Sequence, residues 1–315
     1  MAKKEIVRLP VEDLHNDYRT FIPLGIVEGR NPGPTLAVIG GVHGSEYSAH
    51  EGVARFWHSL DPAVLSGKVL VVLAADVTAM CGHSLYVNPV DGKNLNRVWP
   101  GKKDGTLTEV IAYTLTEDVV KQSDAVLDCH GGEFDESIGL FIITHAVGDE
   151  ELDQRNLDLA MALGMPFVEV TDAYGKVLGS GTGAAEAMKS GRPGITLEAG
   201  GQGLQEEFYI SATFNCLQNA LYHMGIKKGE PVLWAGKPVK LDHGVLLKTT
   251  KAGIYRPAVE VFQWIEEGDL FAQVLDFDGT TLLEEIRAPE AGTVLDVISA
   301  RAIKAGGFAG KIGVI

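Results

Sequence analysis

Two stretches of the chain share the spacing His-x-x-Glu: His43-Gly44-Ser45-Glu46 and His130-Gly131-Gly132-Glu133. Imidazole and carboxylate are the mixed nitrogen and oxygen donors that zinc accepts, and a catalytic zinc takes three protein ligands while keeping a further position open for water. With nine histidines in the chain, a match or two of this kind arises by chance. Placement separates the first match from chance, because an apolar run over 35–41 leads into it between glycines and a helical pattern follows. His130 likewise follows an apolar run, over 125–129. Two histidines at the ends of parallel strands converge in the crevice where open α/β sheets bind ligands. The expected metal set is His43, Glu46 and His130 around one Zn2+ per chain, with Glu133 as the substitute carboxylate.

Other side chains gain meaning from their neighbours. Glu198 ends the apolar run 194–197, where a buried strand tends to continue with an apolar residue, and Gly200-Gly201 beyond it lets backbone and substrate approach closely. A solvated strand-end carboxylate is the plainer reading. Arg97, with Asn96 beside it, offers two parallel donors to a planar carboxylate, although most arginines on long loops only face solvent. Asp128 shares a strand face with His130 and is placed to accept a hydrogen bond from its ring, whereas Cys129 alternates to the opposite face as a packing residue. His50 shares a helix face with Glu46, but a lone helical histidine is usually neither ligand nor catalyst.

These residues need elements to hold them. Short apolar runs at 35–41, 68–75, 125–129, 139–144, 167–170 and 194–198 alternate with helical patterns near 45–60, 106–122, 149–163 and 205–224, the rhythm of a mainly parallel α/β sheet flanked by helices. Thr106-x-x-Glu109 matches a capping box at a helix start. The connection 77–105 is long, poorly periodic and rich in Asn, Gly, Pro and Asp, and loops of that kind are usually functional. After about residue 230 short strands and Gly or Pro turns take over, which predicts a catalytic domain over 1–230 and an all-β domain over 231–315. The latter looks like a lipoyl-type sandwich with a hairpin at Asp278-Gly279. No lysine lies between Lys251 and Lys304 to carry a prosthetic group there.

Bulk properties narrow the classes. The 315 residues are 45% hydrophobic with a net charge of −15 and no Lys/Arg-rich run, which argues against a nucleic-acid partner. The polar N-terminus and the lack of a long apolar window predict a cytoplasmic protein with no membrane association. Cys81, Cys129 and Cys216 are too few and too scattered for a disulfide framework.

Four motifs in order carry a family resemblance. Gly-Gly-Val-His-Gly-Ser-Glu at 40–46, Asn94-Leu95-Asn96-Arg97 followed by Trp99-Pro100-Gly101, Asp128-Cys129-His130, and Thr196-Leu197-Glu198 resemble the succinylglutamate desuccinylase/aspartoacylase family, relatives of the zinc carboxypeptidases. The resemblance spans about residues 35–200, and the C-terminal β region is also similar to that of family members. It implies a zinc-carboxypeptidase-like fold and a zinc-dependent amidohydrolase that deacylates a small, anionic N-acyl amino acid, with N-acetyl diamino acids, N-acylaspartate and succinylglutamate all open. It also implies Glu198 as general base and acid for water activated at the zinc, Asn96 and Arg97 as the carboxylate grip, and a homo-oligomer. One departure stands out, since many relatives carry a further arginine in the loop where residues 81–93 here offer only His83 and Tyr86; Arg192 is the substitute considered. A zinc carboxypeptidase is the neighbouring alternative, and a non-catalytic binder would require missing ligands. Gly179-Ser180-Gly181-Thr182-Gly183-Ala184 fits a dinucleotide fingerprint and so raises an NAD-dependent oxidoreductase, though its late position in the chain argues against it.

Overall fold

The computed structural model describes residues 2–13, 15, 17–172, 181–234 and 236–315. Two long strands, β1 (Lys3–Asp13) and β2 (Tyr18–Glu28), open the chain and precede the first strand expected from sequence. There follow β3 (Asn31–Ile39), α1 (Tyr47–Ser59), β4 (Ser66–Val72), α2 (Val77–Gly82), α3 (Leu107–Asp118), β5 (Ala125–His130), β6 (Glu136–Ile138), β7 (Phe141–Ala146), α4 (Glu150–Ala162), β8 (Phe167–Asp172), α5 (Gly183–Lys189), β9 (Gly194–Glu198), α6 (Glu207–His223) and β10 (Val239–Lys240). Among the described residues nine of these strands form one sheet in the order β1-β2-β4-β3-β5-β9-β7-β8-β10. Its centre, β4-β3-β5-β9, is parallel, whereas β1, β2 and the β9-β7 contact are antiparallel.

Strand alternation decides which helix each side chain meets. Leu36 and Val38 of β3, Leu127 and Cys129 of β5, and Ile195 and Leu197 of β9 point to one face, where Phe56 and Trp57 of α1, Leu159 of α4 and Leu217 of α6 cover them. Ala37 and Ile39 of β3 and Val126 of β5 point to the other, against Ile111 and Leu115 of α3 and Ala187 of α5. Cys129 is thus a core residue, and Asp128 and His130 are turned to the opposite side. Each fully buried large side chain contributes about 1.5–3 kcal/mol, so these two layers hold the scaffold.

The chain then enters β11 (His243–Lys248), β12 (Gly253–Pro257), β13 (Trp264–Ile265), β14 (Leu270–Leu275), β15 (Leu282–Arg287), β16 (Gly292–Ile298), β17 (Ala302–Ile303) and β18 (Phe308–Val314). They make two antiparallel sheets, β11-β18-β16-β13 and β15-β14-β12-β17, around a core that includes Phe271, Val274, Val294 and Ile312. The expected hairpin at Asp278-Gly279 joins β14 to β15, with Gly279 at φ +77°. β6 pairs with β16, so a strand of the α/β part extends a sheet of the β part. No described helix is long and apolar enough to cross a membrane.

The 77–105 connection is less irregular than its sequence suggests, since it contains α2 and a 3-10 turn at Leu95–Arg97. At its end α3 starts on three carboxylates. Glu109 accepts from the Thr106 N–H (3.1 Å), Asp13 from Leu107 (2.9 Å) and Asp91 from Thr108 (2.9 Å), which satisfies amides that a helix start leaves unpaired. Lys93, the Thr106 N–H and Lys102 hold the Glu109 pKa down at about 2. Replacement Glu109→Ala is therefore expected to lower stability by about 0.5–2 kcal/mol in urea unfolding at neutral pH. A lowered carboxylate stabilises above its ordinary pKa, so the gap between wild type and variant should close as pH falls toward 2.

Candidate metal centre and substrate cavity

β3 ends at Ile39, and the chain turns through Gly40 and Gly41, the latter at φ +68°, where a Cβ would lie 2.9 Å from Met80 Sδ and 3.0 Å from Ala74 Cα. A side chain there is excluded by both backbone and space. His43 follows, and Glu46 is the residue on which α1 begins. Ile39 is level with Asp128 in the parallel pairing of β3 with β5, and His130 is level with Glu198 in that of β5 with β9. Three strand ends therefore deliver His43, His130 and Glu198 to one edge of the sheet. Gly131 lets the next strand exit pass closely, since a Cβ on it would be 2.5 Å from the Ala199 carbonyl oxygen.

The Glu46 carboxylate bridges the two imidazoles. Oε1 is 2.6 Å from His43 Nδ1 and Oε2 is 3.0 Å from His130 Nδ1. The ring centroids are 5.2 Å apart, and one donor atom from each of the three residues lies within 4.8 Å of the others, a group able to hold a metal ion. What lies behind the rings fits the same use. His43 Nε2 is 3.2 Å from Asn94 Oδ1, an oxygen fixed by its 2.7 Å bond from the Asn96 N–H, and His130 Nε2 is 3.0 Å from Asp128 Oδ1. A His43 ring that donates through Nε2 to Asn94 keeps its Nδ1 lone pair for a cation. Asn96 Nδ2 also approaches His130 Nε2, at 2.9 Å.

Electrostatics point the same way. Burial opposes ionisation of Glu46, but His43 and His130 outweigh it and hold its pKa at about 2. Burial also works against the charged imidazoles. Glu46 still raises the His43 pKa, and Asp128 together with Glu46 raises that of His130 well above the usual value. Glu46 thus favours the protonated form of both rings, and a metal ion bound between them would compete with those protons.

This cluster sits on the wall of a cavity of ≈ 880 Å³, within the usual range for small-molecule sites of about 300–1,000 Å³. Glu198, Asn96 and Arg97 also line it, so all the site residues expected from sequence meet there. Burial pushes the Glu198 carboxyl up to about 8; His130 and Lys311 pull it down, and Glu46 and Glu136 add to the rise. Such a carboxyl can both give and take a proton near neutral pH. Arg97 Nη1 donates to the Asn96 carbonyl (2.6 Å), which leaves most of its guanidinium donors for another anion.

Several residues take different places from those considered at first. Glu133 is not in the metal group: it is buried, accepts from the Ser45 hydroxyl and from the Tyr86 N–H (3.1 Å), and so ties the two His-x-x-Glu loops together. Arg192 does not line the cavity and instead donates to the carbonyls of Ser123, Ser190 and Lys121. The beginning of the dinucleotide-like segment lies outside the described residues, and its described part, 181–184, leads into α5, where the Thr182 side chain accepts from Ala185 N–H. Sequence reasoning did not single out Asn94 as a brace, nor the wall contributed by Glu136 of β6, Glu169 of β8, Asp296 of β16 and Lys311 of β18. The Asn94-Leu95-Asn96-Arg97 run held the first signal; the others depend on pairing between remote strands.

Comparison with known proteins agrees with this architecture. A profile of the succinylglutamate desuccinylase/aspartoacylase catalytic domain matches residues 32–224, a stretch that holds every residue of the metal group, Asn96, Arg97 and Glu198. The N-alpha-acetyl-L-2,4-diaminobutyric acid deacetylase of Halomonas elongata is 28% identical over 283 residues, covering 86% of this chain and 79% of that protein. The product-bound structure of the ectoine utilization protein EutE from Ruegeria pomeroyi superposes with a TM-score of 0.88 at 24% identity, covering 100% of this chain and 95% of the other. A succinylglutamate desuccinylase from Silicibacter sp. TM1040 gives a TM-score of 0.88 at 25% identity, over 99% of this chain and 94% of the other. With its ordered motifs, its converged histidines and a catalytic-domain match across most of the α/β part, the chain belongs to the succinylglutamate desuccinylase/aspartoacylase family.

Proposed function

We propose that this protein is a zinc-dependent amidohydrolase that removes the acyl group from a small N-acyl amino acid. The observation that carries the reading is the His43–Glu46–His130 group lying beside Glu198 in a cavity that also presents Arg97. Support comes from the Halomonas elongata relative, named as a deacetylase of an N-acetylated diamino acid. The reading includes a zinc-carboxypeptidase-like catalytic domain over 1–230 and a lipoyl-like β domain over 231–315 that walls the cavity.

His43, Glu46 and His130 would hold the zinc, one ion per chain. Zinc bound there supplies Lewis-acid polarisation of the amide carbonyl and lowers the pKa of water to about 7. Glu198 accepts a proton from the attacking water and returns it to the departing amine nitrogen, a task suited to a carboxyl whose pKa burial has raised. Arg97 and Asn96 grip the substrate carboxylate and orient the amide toward Glu198. Asp128 and Asn94 fix the two imidazoles from behind.

Three outcomes follow. Zinc titrated against a chromophoric chelator should bind at about one ion per chain, and Asp128→Ala should weaken that binding about 10–100-fold; unchanged affinity would remove Asp128 from ligand support. Glu198→Gln should lower kcat by about 10²–10⁴-fold, measured as free-amine release from N-acyl amino acids, while metal content stays at the wild-type level. Arg97→Lys should raise KM about tenfold or more for substrates with a free carboxylate, because the bidentate fork is lost. An effect equal in size on substrates with an amidated carboxylate would rule out the grip.

A further inference from the structure

Part of the cavity wall is acidic in a way that the deacylation chemistry does not use. β6 and β16 pair antiparallel, with Glu136 level with Ile298 and Asp296 level with Ile138. Residues two apart on a strand share a face, so the Glu136 and Asp296 carboxyls lie diagonally across one face. All four of these residues line the cavity, which identifies the face as the one turned inward. Asp296 is only 6% exposed, and its Oδ1 has no hydrogen-bond partner among the described residues.

The cation level with Asp296 is already engaged. Lys311 is level with Asp296 across β16 and β18, yet its Nζ turns to Glu169 and stands 5.2 Å from the Phe141 ring centroid. Elsewhere on the wall, His243 pairs with Glu290 at 3.1 Å and Arg97 is bonded to the Asn96 carbonyl. The Tyr86 hydroxyl, 3.0 Å from Asp135, also lies within hydrogen-bond reach of Glu136. Glu136, Glu169 and Asp296 thus line the cavity together with Lys311, which is paired with Glu169, and the exposed Lys304.

We propose that Asp296, with Glu136 beside it, forms a subsite for a protonated amine, and that the substrate is an N-acyl diamino acid whose second amino group is free. The inference rests on the deacylase reading and makes the substrate zwitterionic, with its carboxylate at Arg97 and its ammonium at Asp296. An ammonium carries three donors and finds here the unpartnered oxygen that a neutral side chain would leave bare. Burial raises the Asp296 pKa well above the usual value, and Glu136 and Glu198 add to the rise. Lys311 opposes that rise, and a bound cation would likewise favour the ionised form. The subsite acts as a specificity determinant, felt chiefly in KM.

The test compares two substrates of equal length on the zinc-loaded protein: Nα-acetyl-2,4-diaminobutyrate and N-acetyl-2-aminobutyrate, which lacks the second amine. Wild type should favour the diamino substrate about tenfold or more in kcat/KM, mainly through KM. In Asp296→Asn the ratio should fall to about one, and in Asp296→Glu it should be partly restored. Equal use of both substrates by wild type, or a ratio untouched by Asp296→Asn, would overturn the subsite and leave Asp296 as a buried wall residue. Calorimetry with 2,4-diaminobutyrate and 2-aminobutyrate reads the subsite without turnover. Tighter binding of the diamino acid by wild type, lost in Asp296→Asn, supports the subsite even if neither acetylated substrate is hydrolysed; that failure of hydrolysis would count against the deacylase reading alone. Equal binding of the two amino acids by wild type overturns the subsite.

Discussion

The ends of β3, β5 and β9 lie level because parallel pairing fixes Ile39 opposite Asp128 and His130 opposite Glu198. Everything chemical in the molecule depends on that alignment. A slip of one residue in β5 would send Asp128 and His130 into the apolar layer under α1 and α6 and bring Cys129 to the crevice. The apolar runs thus do more than bury surface: their two-sided filling sets the register, and the register sets which polar side chains emerge together.

Much of the α/β part was legible from residues alone. Short runs bounded by Gly, Pro and Asp gave the central strands, and the spacing of apolar residues gave α1, α3, α4 and α6 to within a few residues. β1 went unread although Val7, Leu9 and Val11 alternate with the exposed Arg8, Pro10 and Glu12, the period-two pattern of a half-buried strand. α2 is hidden in a segment whose composition reads as loop, and α5 is short, at seven residues, so periodicity has little to work on. The metal group was readable since its members sit at strand ends within recognisable motifs. Asp296, Glu136, Lys311 and Glu169 were not, because each is an ordinary charged residue in its own strand and gains meaning only when distant strands pair.

The β part is joined to the α/β part by more than the polypeptide linker. β6 extends the sheet of β16, Ile138, Phe141 and Ile143 pack against Leu241 and Leu295, and Lys311 reaches Glu169 through a buried ion pair. A buried pair of this sort adds little net stability, as desolvation offsets attraction, but removing one partner strands the other charge. The cavity is accordingly a feature of both parts, with the His43–Glu46–His130 group from one and an acidic wall shared between them.

One small arrangement has a wider effect. Glu133 accepts from Ser45 on one loop and from the Tyr86 backbone on a second, and itself belongs to a third. A single carboxylate thereby acts as a keystone for segments far apart in the chain. Ser45 and Glu133 meet through their side chains, so substitutions at the two positions act on one shared bond and their energetic effects will not simply add.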